Sequence, residues 1–122
     1  MAKPKIKWLT EPEDHDYPAA ASYLSLIYPP ATVRRLVQGL RRARMTGFKG
    51  KDIFRAASLP LLDASNSHVA KNRKKILAGT ALSPLLLVRD TANGRVIVAD
   101  GYHRLCSIYP FDEDVLVPCK IV

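Results

Sequence analysis

Cysteine is scarce in this 122-residue chain, and the two present, Cys106 and Cys119, lie close to its end. Two late cysteines make no disulfide framework, so the expectation is a pair of reduced thiols in a cytoplasmic protein. No apolar run approaches the ~18–20 residues that span a bilayer, which excludes a transmembrane helix. The first residues, "MAKPKIKWLTEPEDHDYP", carry lysines but no apolar segment behind them, so no signal peptide is expected. Internal repeats and low-complexity tracts are missing as well. Histidine occurs three times. His15 sits among the acids of "EPEDHDY", where one imidazole among carboxylates on a loose arm gives no ligand geometry, and no metal site is predicted.

What remains is globular. An apolar fraction of 48% with 25% charged residues suits one domain with an adequate core. Net charge is +8 and unevenly spread. Glu11, Glu13, Asp14 and Asp16 crowd the start, and Asp112, Glu113 and Asp114 form a knot near the end. Between Arg34 and Arg55 stand eight basic residues against one acid, Asp52, and Lys71, Arg73, Lys74 and Lys75 form a second basic cluster. Such a front half attracts polyanions or an acidic partner; a solvated basic face is the alternative.

Along the chain, residues 1–16 read as a charged arm, extended or pinned to the body, and residues 17–122 as a single domain. "PAAASYLSLIY" reads as a short helix, stopped by Pro29 and Pro30. The clearest helix is "ATVRRLVQGLRRARMTG", where Val33, Leu36, Val37, Leu40 and Ala43 form an apolar stripe. Thr32 is its expected cap and Gly47 its expected end. Arg34, Arg35, Arg41, Arg42 and Arg44 fall mainly off the stripe, available to nucleic-acid phosphates, while Trp8, Tyr17, Tyr23 and Tyr28 offer rings that could stack on bases. The spacing in "SYLSLIY" favours core packing for Tyr28. "KGKDIFRAAS" is another short helix, "LPLLDASNSH" a loop, and "HVAKNRKKILAGT" a helix closed by Gly79. "SPLLLVRD" and "RVIVAD" are strands joined through "TANG", "HRLCSIY" is a short helix, and "VLVPCKIV" is a last strand in which Pro118 argues for an edge or a bulge. The fold class is therefore α+β: N-terminal helices, then a small mixed β-sheet with a short helix after the D-G-Y-H-R turn.

That turn concentrates the chemistry. A strand ending at Asp100 meets Gly101, which lets the backbone turn sharply and approach a ligand. The helix after it offers unpaired amides and the positive end of its dipole to an anion, phosphate above all. His103 and Arg104 add donors, and arginine grips phosphate in bidentate fashion. Asp100 could orient a metal or hydroxyl, or act as a base. The bland alternative makes Asp100 a cap, His103 a surface residue and Arg104 the partner of Asp100.

The stretch from Val69 to Val122, with a helix ending in glycine, "SPLLLV", a strand ending in "ADGYHR", a helix and a strand with "VPC", resembles the ParB/sulfiredoxin superfamily. The resemblance implies a ParB/sulfiredoxin-like domain whose turn binds nucleotide phosphates: ATP in sulfiredoxins, ADP or ATP in free serine kinases, CTP in partition proteins. It implies that Gly101, Tyr102, His103 and Arg104 line the phosphates of a nucleoside triphosphate, ATP or CTP, with Mg2+. Asp100, His103 and Arg104 inherit the candidate catalytic roles of an NTPase or small-molecule kinase. The form D-G-H-H-R of the free serine kinases is nearest, with Tyr102 replacing one histidine. Tyr102 also stands where sulfiredoxins keep their reactive cysteine, so that activity is not expected. No helix-turn-helix unit follows Val122, so centromere reading of the ParB type is not expected either. The kinases' additional glutamate has as its counterpart only Asp63, which is otherwise a loop residue; His68 and Lys71 are further accessory candidates, or a helix start and a solvated face. Cys106 and Cys119 read as small buried hydrophobes. Beside this phosphate-binding reading stands a second one, a non-catalytic module for DNA, RNA or an acidic protein in a plasmid, phage or toxin–antitoxin locus. A nuclease, lacking a carboxylate cluster for two metals, has little support.

Overall fold

The computed structural model describes residues 4–122. The first three residues of the expected arm lie outside the described residues. Among them are five α-helices and a four-stranded mixed sheet, an α+β arrangement. In chain order these are α1 (Asp16–Leu24), α2 (Pro30–Arg42), β1 (Thr46–Lys49), α3 (Gly50–Ala57), α4 (Ser67–Leu77), β2 (Leu85–Asp90), β3 (Arg95–Asp100), α5 (Tyr102–Ile108) and β4 (Leu116–Ile121). Among the described residues no helix is long and apolar enough to cross a membrane.

The sheet runs β1-β4-β2-β3. β2 pairs antiparallel with β3 and parallel with β4, and β4 pairs antiparallel with β1. Its two faces are both covered, which explains the unbroken apolar run "LLLV". Leu85 and Leu87 point into one cluster, with Ile53 and Ala57 of α3, Ile76 of α4 and Leu105 and Ile108 of α5. Leu86 and Val88 point into the other, with Tyr17, Ala20 and Leu24 of α1 and Val33 and Leu40 of α2. Period-two alternation on β3 repeats the pattern, Val98 to the first face, Ile97 and Ala99 to the second.

Several expectations need correction. α2 stops at Arg42, with Ala43 in extended conformation, and Gly47 lies in β1 rather than capping a helix. No breaker marks that stop; the following residues leave the helix to pair with β4, a contact far away in sequence. Pro29, not Thr32, occupies the N-cap of α2, and no side chain caps it. Pro118 is not on an edge strand: β4 is interior, with Pro118 opposite Gly47 and the pairing to β2 starting only at Cys119. Of the two states expected for the arm, the segment before α1 takes the pinned one. Trp8 forms a parallel bridge with Leu82, through Leu9 N–H to the Leu82 carbonyl and Leu82 N–H to the Lys7 carbonyl, each 2.8 Å. The helix starts at Asp16, inside the segment read as an arm. Tyr17 is buried, Tyr28 half-buried against the core, and Trp8 packs on the first cluster, so of the four rings only Tyr23 is exposed.

Candidate functional site

At the β3–α5 junction Gly101 adopts φ 109° and ψ 11°, a left-handed conformation that favours glycine. A Cβ there would lie 2.6 Å from Leu85 Cγ and 3.0 Å from an Arg104 terminal nitrogen. Turn geometry and close packing on β2, rather than the approach of a ligand, therefore require this glycine. The first hydrogen bond of α5 runs from Leu105 N–H to the Gly101 carbonyl, leaving the amides of Tyr102, His103 and Arg104 without helical partners. Helix α4 flanks the turn. Asn66 caps it, accepting hydrogen bonds from the His68 and Val69 amides, and this sets His68 in its first turn. The His68 and His103 rings lie 4.8 Å apart, and the Tyr102 hydroxyl donates to the Pro60 carbonyl at 2.5 Å. Together, His68 and Asn72 of α4 and the turn from Asp100 to Arg104 line a polar cavity of about 200 Å³.

Arg104 is the hub. One terminal nitrogen donates to Asp100 Oδ2 at 2.9 Å and to the Pro84 carbonyl at 3.3 Å, the pairing of the bland alternative. Its Nε is buried with no hydrogen-bond partner, alone in this among side-chain nitrogens and oxygens of the described residues. Burial pushes the Asp100 carboxyl above the usual carboxylate range against the pull of Arg104, and the neighbouring carboxyl of Asp16 pushes the same way. Asp16, only 2% exposed, is held by the Glu13 amide at 2.9 Å and by the Ser83 hydroxyl. A second polar cavity of about 80 Å³ lies against Asp16, Ser83, Lys75, Asn72 and Arg104, the last two shared with the first cavity. His103 is shifted below the ordinary histidine range, by burial first and then by His68 and Arg104.

Of the residues expected at the site, Asp100, Gly101, Tyr102, His103, Arg104 and His68 come together around one cavity. Asp63 does not join them. Its carboxylate accepts hydrogen bonds from the Ser65 amide and hydroxyl in a local turn, beside a separate cavity of about 430 Å³ next to Arg73 and Cys106. Lys71 is exposed and lines none of these cavities. Arg34, Arg35, Arg41 and Arg42 project from the outside of α2, with Arg44 just beyond it. Asn72 was missed, although with His68 it falls at i and i+4 on α4, a helical face readable in advance; Lys75 at i+7, of the basic cluster that could close over a polyphosphate, lines the second cavity. Asp16 and Ser83 carried no local signal. Against expectation, the structure also gathers Glu13, His15 and Asp16, with His15 Nε2 3.0 Å from a Glu13 carboxylate oxygen and 3.4 Å from one of Asp16, and ligand-type atoms of all three within 4.8 Å of one another. Both cysteines are buried, and burial raises their thiols, Cys119 to about 11. Compared with family models, curated proteins and solved structures, the chain matches none.

Proposed function

We propose that this chain is a ParB/sulfiredoxin-like domain that binds a nucleotide or another phosphorylated small molecule between α4 and the Asp100–Arg104 turn. The observation that carries the reading is the buried Arg104 Nε. A buried guanidinium donor without an acceptor costs free energy, about 1–3 kcal/mol for a typical group, and an anionic oxygen that drew the guanidinium toward the cavity would recover it. Beside the carboxylates of Asp100 and Asp16, Arg104 is surrounded by donors: three helix-start amides, the imidazoles of His68 and His103, the Asn72 amide and the Lys75 ammonium. All of these suit phosphate oxygens. A cavity of about 200 Å³ suits phosphate groups, with the rest of a nucleotide reaching beyond it. Mg2+ carried by the phosphates would meet Asp100, the one carboxylate on that wall.

Binding is better supported than any reaction. Asp100 is paired with Arg104, and a phosphate that draws Arg104 toward itself would free the carboxylate as a base, its pKa already raised by burial. Calorimetric titration of ATP, CTP, GTP and pyrophosphate, each with Mg2+, into the wild type tests the proposal. Arg104→Lys, which keeps charge but loses the fork, should weaken binding at least tenfold, about 1.4 kcal/mol, and His68→Ala should weaken it with the fold intact. Failure of all four ligands to bind the folded wild type would overturn it.

A further inference from the structure

We propose that the outer face of α2 docks on the phosphate backbone of double-stranded nucleic acid, without reading its sequence. From Tyr17 through Lys51 the chain contains no acidic residue. Within that span α2 divides cleanly. Val33 and Leu40 are buried against α1 and the sheet, with Leu36 and Val37 packed beside them, while Arg34, Arg35, Gln38, Arg41 and Arg42 are exposed. At ~100° per residue those five positions fall within an arc of about 120°. The side chains of Arg34, Arg35, Arg42 and Arg44 make no hydrogen bond or ion pair with any described residue, although i, i+4 glutamates would have stabilised such a helix. The nearest arrangement for Arg41 is stacking, its guanidinium 4.3 Å from the centre of the Tyr17 ring.

The platform is rigid. A Cβ on Gly39 would lie 3.1 Å from Val122 Cγ1, so the glycine allows α2 to sit close against the end of the chain. The buried Lys120 ammonium donates to the Arg41 carbonyl at 3.0 Å and fixes the other end of the helix. Arginine pairs at 34/35 and 41/42 stand about 10 Å apart along the axis, the length of about three phosphates of one duplex strand. Guanidinium forks match phosphate oxygens, and the cost of an unneutralised array is repaid by counterion release from a polyanion. A membrane is the weaker match, because the large apolar side chains of α2 face inward and leave four arginines and Gln38 on the docking arc.

Fluorescence anisotropy with a labelled random-sequence duplex over 50–200 mM KCl tests this. The wild type should bind with a log–log salt slope of about −4, a loss of roughly 250-fold across that range, and unlabelled duplexes of other sequences should compete equally. Arg34→Ala with Arg35→Ala should reduce the slope by about 2, and adding Arg42→Ala and Arg44→Ala should abolish binding, with circular dichroism unchanged because all four side chains are exposed. Arg104→Lys should bind duplex like the wild type, so failure at the phosphate cavity and failure at α2 are separable. No binding at 50 mM KCl with ~100 μM protein overturns the proposal. So does duplex binding that the quadruple variant retains, or arginine-dependent binding to anionic phosphatidylserine vesicles without any binding to duplex.

Discussion

Two titrating side chains at the cavity change charge in the same sense as pH falls. Asp100 loses its negative charge as the pH approaches its raised pKa, and His103 gains a positive one only below its depressed pKa. Sulfate keeps its own charge over this range, so it is the suitable probe. Its affinity for the cavity should rise as the pH falls through the titration of these groups, about tenfold for each unit of charge gained, since such a change several ångströms away is worth on the order of 1–2 kcal/mol after screening. His103→Gln should flatten part of that rise; a sulfate affinity that does not vary with pH would remove both residues from the site. At this scale the sequence was informative about which residues stand at the turn, because five of them are consecutive. It was silent about Asp16, whose partner Ser83 is 67 residues away and whose carboxyl meets Asp100 from the other end of the chain. Likewise, the glycine at 101 was legible but its reason was not: Leu85, not a ligand, occupies the space a side chain would need.

Elements formed by local pattern were the readable ones. The antiparallel pair β2–β3 is joined through the 3-10 turn Thr91–Asn93, with Gly94 at φ 63°, where "TANG" had signalled a connection. Helix α4 begins where Asn66 offers its side chain and ends ahead of Gly79 at φ 75°. By contrast β1 exists because β4 pairs with it, and its four exposed residues carry no alternation of their own. The position of Pro118 in an interior strand was illegible for the same reason. Gly101→Ala tests how firmly the strand-to-helix junction is held. It should destabilise the protein by about 3 kcal/mol, combining left-handed strain with a clash on Leu85, and should weaken phosphate-ligand binding as α5 shifts. A loss of unfolding free energy below about 1 kcal/mol in a urea titration would mean the junction relaxes freely.

For the molecule as a whole, the sheet between two apolar clusters is the unit of stability. Leu86 and Leu87 are neighbours on β2, both fully buried, yet they serve opposite faces. Leu86→Ala and Leu87→Ala should each cost about 2–5 kcal/mol, and each variant should still unfold in a single transition, because one strand carries both cores. Two resolved transitions in either variant would show that the faces unfold separately. The segment before α1 belongs to this unit too: it is pinned along Leu82, and it brings Glu13 and Asp16 to Ser83 and the Arg104 cavity. Trp8, the chain's single tryptophan, forms that pin and rests on the cluster of α3, α4 and α5. Its emission is therefore an intrinsic optical gauge of whether the segment is seated, and with it of whether the Asp16 side of the cleft is in place.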